Sequence, residues 1–115
     1  MEIKYDLEER TSKFEVNVIV FCKLIKQDII SISIISQLVK SATSIGAKYM
    51  EANAASSRKD FKNKIYICKK EAQETMYWLK MIVECEPNKK EQANKLWKEA
   101  QELTFIFGKI ISSMK

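Results

Sequence analysis

From Leu7 onward, the positions that recur at alternating four- and three-residue steps are Leu7, Thr11, Phe14, Val18, Phe21 and Ile25. A helix with 3.6 residues per turn brings such positions to one side, so the spacing predicts an inward-facing seam. Asp6 is placed to cap this first helix, and Glu8 and Glu9 suit the positive end of its dipole. The pattern fades between Leu24 and Gln27. The next stretch, Asp28 to Gln37 (DIISISIISQ), has two readings. Its β-branched alternation fits a strand, but a lone strand in a helical chain has nothing to pair with. A loop over Lys26 to Ile29 and then a second helix is the reading adopted. That helix runs to about Asn53 or Ala54, with Ile35, Leu38, Ala42, Ile45, Tyr49 and Ala52 facing inward.

Ser56 and Ser57 break the pattern, and Ser57 with Asp60 resembles a capping box with Asp in place of Glu. The third helix then shows the most regular heptad of the chain: Phe61, Ile65, Cys68, Ala72, Thr75, Leu79 and Ile82. Pro87 ends it, because the residue before a proline disfavours helix. Asn88, with Glu91 three residues on, is the expected cap of a fourth helix. Its stripe is Ala93, Leu96, Ala100, Leu103, Phe107, Ile110 and Met114. Four amphipathic helices with short connections predict one all-α domain over residues 1–115, an up-down-up-down four-helix bundle.

Composition supports this. With Gly 2 and Pro 1 in 115 residues, the chain lacks the turn residues of a β-sandwich or barrel. Small residues cluster at Ser41, Ala42, Ser44, Gly46 and Ala47, which suggests close helix packing; a helical Gly46 costs roughly 1 kcal/mol against Ala, so the close approach of a neighbouring backbone would explain it. No run of about 18 uninterrupted apolar residues occurs, so no membrane span is expected. The polar, acidic opening MEIKYDLEER is unlike a signal peptide, and a cytoplasmic location is expected. Cys22, Cys68 and Cys85 are dispersed and form no C-x-x-C pair, so free thiols in or beside the apolar stripes are expected.

The residue inventory argues against catalysis. The chain has no histidine (His 0), which removes the commonest general base and the commonest metal ligand. No phosphate-binding glycine loop occurs, the cysteines cannot gather into a zinc site, and Cys68 has no evident base beside it. Glu71 and Glu74, three apart on the third helix, and Glu51, late on the second, could do acid–base work or bind a divalent cation, but pairing with Lys48, Lys70 or a helix dipole is the simpler expectation. No enzyme activity, cofactor or metal is therefore expected.

Charge gives the positive indication. Lys+Arg 20 against Asp+Glu 15 leaves a formal +5, which suits an anionic partner. Arg58, Lys59, Lys62, Lys64, Lys69 and Lys70 are concentrated at the start of the third helix, with Tyr66 among them; such a face suits a phosphate backbone, with the tyrosine able to stack on a base. The same lysines could equally solvate the outer face of a bundle. Tyr66, Met76, Tyr77, Trp78, Met81, Trp97, Phe105 and Ile106 exceed what one inward seam needs, so the bundle is expected to self-associate. Of these, Tyr66, Tyr77, Trp78 and Trp97 are the candidates for an oligomer or partner interface, with Tyr77–Trp78 an anchor or a stacking platform.

Three segments carry a family likeness: KSATSIGAKYMEA (Lys40–Ala52), S-x-x-DF (Ser57–Phe61) and KEAQETMYWL (Lys70–Leu79), with a weaker one at ERT (Glu9–Thr11). On these residues the chain resembles the four-helix-bundle proteins encoded in intervening sequences of bacterial 23S rRNA genes. The resemblance implies a left-handed up-and-down bundle that assembles as a homopentamer. It also implies kinship with the accessory protein of diversity-generating retroelements, a basic pentamer suited to reverse transcriptase and nucleic acid. Lys48 stands where the family usually has Asn, which adds charge, and the family offers no catalytic residues to carry over.

Sequence and resemblance together lead to a non-enzymatic homo-oligomer that binds RNA or other nucleic acid through the basic run. The rival is an adaptor that offers an aromatic groove of Tyr77, Trp78 and Trp97 to a partner protein such as a polymerase. A passenger with no partner is the third reading.

Overall fold

The computed structural model describes residues 6–114; the opening Met1–Tyr5 and Lys115 lie outside the described residues. The helices are α1 (Leu7–Lys23), α2 (Ile29–Asn53), α3 (Arg58–Cys85) and α4 (Lys90–Ser112), with a 3-10 turn at Pro87–Lys89. No strand occurs among the described residues. Each helix packs on the next, and α4 returns to α1, while the backbones of the diagonal pairs stay apart. The result is an all-α four-helix bundle about 45 × 26 × 20 Å across. The Asp28–Gln37 stretch is helical from Ile29, so its alternation does not mark a strand.

The seams form the core. Leu7, Thr11, Phe14, Val18, Phe21 and Ile25 are buried along α1 and beyond its end, and Leu38, Ala42, Ile45 and Ala52 along α2. Ile65, Cys68, Ala72, Thr75, Leu79 and Ile82 are buried along α3, and Ala93, Ala100, Leu103 and Phe107 along α4. Each large apolar side chain so placed contributes roughly 1.5–3 kcal/mol. Tyr49 reaches across to Phe107, with ring centroids 6.4 Å apart. The polar groups inside are satisfied: Thr75 Oγ1 bonds Ser41 Oγ at 2.9 Å and the Glu71 carbonyl at 2.8 Å. Thr11 donates to the Leu7 carbonyl at 2.7 Å. The Ser41–Thr75 pair joins α2 to α3, while each hydroxyl also has a carbonyl of its own helix as partner, Leu38 for Ser41 and Glu71 for Thr75.

The helix ends follow local chemistry. Asp6 caps α1 from a left-handed conformation (φ 46°) and accepts from the Glu9 N–H. Asp28 and Ser31 form a capping box at α2: Asp28 accepts from Ser31 N–H at 2.8 Å and Ser31 Oγ accepts from Asp28 N–H at 2.9 Å. At α3, Ser57 Oγ accepts from Asp60 N–H at 3.0 Å. The expected Asn88 cap is not used. Pro87 opens the 3-10 turn, where its missing N–H costs nothing, and the Lys89 N–H bonds the Glu86 carbonyl at 2.9 Å. The tight turn itself satisfies the early donor, and α4 starts at Lys90 with no side-chain cap.

Two features of α1 and α2 change the sequence picture. At Gly46 the close neighbour is a carboxylate rather than a backbone: the Gly46 N–H donates to Glu15 Oε2 at 2.6 Å, and a Cβ there would meet that carboxylate. Burial raises the Glu15 carboxyl from 4.5 to about 7, against the opposing pull of the Gly46 hydrogen bond. Secondly, α2 is long and apolar enough, by length and composition, to cross a membrane, although only 28% of its most apolar stretch is buried. Counting uninterrupted apolar residues misses this, because single serines and Lys40 divide the run.

Candidate nucleic-acid interface

The six basic residues picked from the sequence lie on one helix but not on one face. Lys64 turns toward α2, where its Nζ lies 3.5 Å from Glu51 Oε1, and Lys48 pairs with the same carboxylate at 3.4 Å. Lys62 turns toward α4 and donates to the Met114 carbonyl at 3.3 Å. Lys69 lines the groove between α3 and α4 beside Gly108. Arg58 and Lys59 are exposed at the first turn of α3, and Lys70 is exposed further along.

A different set shares one line. Opposite the buried heptad of α3, the exposed residues Lys59, Asn63, Tyr66, Lys70, Gln73, Tyr77 and Lys80 also repeat at four- and three-residue steps. Lysines and tyrosines thus alternate along the outer stripe of the helix, and Tyr66 and Tyr77 are 51% and 54% exposed. Beside this stripe, α4 presents Lys98, Phe105 and Lys109. Two open grooves run between the helices. One, of about 790 Å³, is lined by Lys69, Gln73, Phe105 and Lys109 among others. The second, of about 560 Å³ near the Pro87 turn, has Val83, Ala93 and Trp97 in its wall and Lys80, Lys90 and Lys98 around it. Lys80 and Lys98, and the half-buried Trp97 that Lys80 covers at 5.6 Å, were outside the basic run or were read only as interface. The signal that finds Lys80 is the periodicity of the outer stripe, which continues past Lys70.

The aromatic candidates divide as well. Tyr77 and Trp78 meet edge to face at 4.9 Å. Trp78 is half-buried, and its indole N–H donates to Glu74 Oε2 at 3.4 Å. Of the apolar residues counted as surplus, Ile106 is buried and Met76, Met81 and Trp97 are half-buried, whereas Phe105 is 60% exposed. The larger apolar surface lies on the other side of the bundle, at Val16, Ile19, Val20, Leu24, Ile29, Ile30 and Ile32.

No cluster of His, Cys, Asp or Glu able to hold a metal ion occurs among the described residues. Burial pushes the Cys68 thiol up to about 12, and it donates to the Ile45 carbonyl, both of which favour the thiol over the thiolate. The Glu71 carboxyl is raised by burial and by nearby Glu74. Of the ion pairs expected for these acids, Glu51 has Lys48, but Glu74 takes the Trp78 indole instead.

Fold and surface define a class: a small all-α bundle with lysines and aromatic rings on the outer face of its last two helices. Within that class, the chain belongs to the family of 23S rRNA-intervening sequence proteins, whose family model matches residues 4–109. Among solved structures it is similar to a protein of unknown function from the S23 ribosomal protein family of Bacteroides thetaiotaomicron VPI-5482. The two share 32% sequence identity with a TM-score of 0.80, over 90% of this chain and 96% of that one. No curated protein matches the chain.

Proposed function

We propose that the protein binds RNA, without sequence specificity, through the outer face of α3 and α4, and does so as a homo-oligomer. The observation that carries the reading is the stripe Lys59–Tyr66–Lys70–Tyr77–Lys80, in which point charges for phosphates alternate with rings for bases. Lysine heads contact phosphates without reading base edges, so affinity comes without a sequence code. The family name, which ties its members to 23S rRNA genes, agrees with an RNA partner. Self-association is supported by the exposed apolar residues of α1 and α2, and five subunits is the number the family resemblance implies. Repeating the stripe around a ring would multiply a modest charge into a strong field.

The test is an anisotropy titration of the purified protein against a structured RNA at rising salt. The expected result is log affinity falling linearly with log salt, with a triple Lys59→Glu, Lys70→Glu, Lys80→Glu variant binding at least about 100-fold more weakly. Undiminished binding by that variant would show that the face is wrong. An adaptor role, including one toward a reverse transcriptase, is the second reading, favoured by the exposed Tyr77 ring against Trp78. It would give no RNA binding and loss of a protein partner on Tyr77→Ala.

A further inference from the structure

The groove near the Pro87 turn differs from the rest of the α3–α4 face. Elsewhere on this face Tyr66, Tyr77 and Phe105 stand outward on the helix surface, whereas Trp97 is half-buried in a recess of about 560 Å³, walled by Val83 and Ala93. Lysines stand on both banks, Lys80 from α3 and Lys90 and Lys98 from α4, against a single acid, Glu84. Asn94 adds an amide that can donate to and accept from the edge of a planar ligand. A flat apolar ring within a rim of cations is chemistry suited to a flat ligand that carries phosphates. Lys80 already lies over the Trp97 ring at 5.6 Å, which shows that one face of the indole is open to a group outside the core.

We propose that this groove takes one unpaired RNA base, stacked on Trp97, with its flanking phosphates on Lys80, Lys90 and Lys98. The inference rests on the RNA-binding reading and adds a preference to it: single strands or bulges over continuous duplex. When the base enters, Lys80 leaves the indole face for a phosphate, so a cation–π contact is exchanged for a stack and an ion pair. A duplex keeps its bases stacked on each other, so it can use the outer stripe but not the recess. Continuity favours RNA over a protein side chain as the occupant, since Lys80 belongs both to this groove and to the outer stripe of α3.

The experiment uses the full chain with Trp78→Phe, which leaves Trp97 as the one tryptophan of the two. Its fluorescence and the anisotropy of labelled RNA are followed with a short single strand, a duplex of equal length and a single strand carrying abasic sites. Quenching of Trp97 by the single strand alone is expected, and Trp97→Ala should cost about tenfold in single-strand affinity while leaving duplex affinity unchanged. Should Trp97→Ala fail to fold, Lys90→Glu with Lys98→Glu, both on exposed positions, should lower the single-strand preference in the same direction. Salt-sensitive binding of all three RNAs with no change in Trp97 emission would overturn the groove and leave the surface reading standing. Absence of binding by any RNA would overturn both.

Discussion

The two halves of the bundle solve the same interior problem and present opposite exteriors. Between Ile29 and Met50, only Lys40 and Lys48 carry charge on α2, and Ile29 and Ile30 are 89% and 66% exposed. On α3 the corresponding outer stripe holds Lys59, Lys70 and Lys80 with tyrosines between them. A buried seam lies beneath both. The difference shows that the buried heptad decides the fold, while the positions opposite it are free to be set by what each side meets. An apolar exterior on α1–α2 suits another protein surface, and a basic one on α3–α4 suits a polyanion.

The largest expected effects come from crossing the two faces. Ile29→Asp with Ile32→Asp should dissociate the proposed oligomer by at least one subunit step in sedimentation, with the helical circular dichroism retained. RNA affinity per chain should then fall because the stripe no longer repeats. The lysine reversal on α3 should do the converse, with RNA affinity lost and the assembly unchanged. If both changes altered the same property, the division into two faces would not stand.

A smaller effect is expected where the faces meet. Arg10 on α1 makes a two-pronged contact with Glu99 on α4, at 2.7 and 3.0 Å, and reaches Glu102 at 3.6 Å. The Glu99 hydrogen bonds hold the guanidinium more firmly in its charged form, against the opposing effect of burial. Arg10→Ala should lower unfolding free energy by about 1 kcal/mol, read from urea midpoints.

A separate effect tests the α1–α2 seam by pH. Because the folded Glu15 carboxyl titrates near 7, above its ordinary 4.5, the native state holds this proton more tightly than the unfolded chain. The stability it contributes is complete below about pH 4.5 and is lost as pH rises through 7. Glu15→Gln should remove that slope, so that melting temperature changes less between about pH 4 and about pH 8, which lie on either side of the window, than in the parent. Gly46→Ala should be neutral or stabilising by up to about 1 kcal/mol, since it gains helix propensity and merely pushes a flexible carboxylate into water. A loss of several kcal/mol would mean a rigid neighbour there.

What was legible in the sequence was governed by short-range rules. The seams, the Asp6 and Ser57 caps and the stop at Pro87 all depend on residues within a few positions of one another. The Asp28–Ser31 box is equally local, but the β-branched alternation around it hid the motif. What was missed depends on rotation about a helix or on pairs far apart. Six nearby basic residues look like one patch until the helix turns Lys64 toward Glu51 and Lys62 toward Met114. Lys80 and Trp97 come together only because α3 and α4 lie side by side. Glu15 against Gly46 likewise joins positions that no local pattern connects.

The contact of Arg10 with Glu99 sets an order of events as the chain is made. The cation leaves the ribosome with the first helix, and its acids belong to the last. Until α4 emerges, α1 has only α2 to lean on, and the apolar seams that α4 will cover stay open to water. The first pair, α1 and α2, can meet as soon as both have emerged, and α3 then packs on α2. The bundle is therefore completed only when its last helix meets its first, and a chain that ends before Glu99 leaves the seams of the other three helices partly open to water.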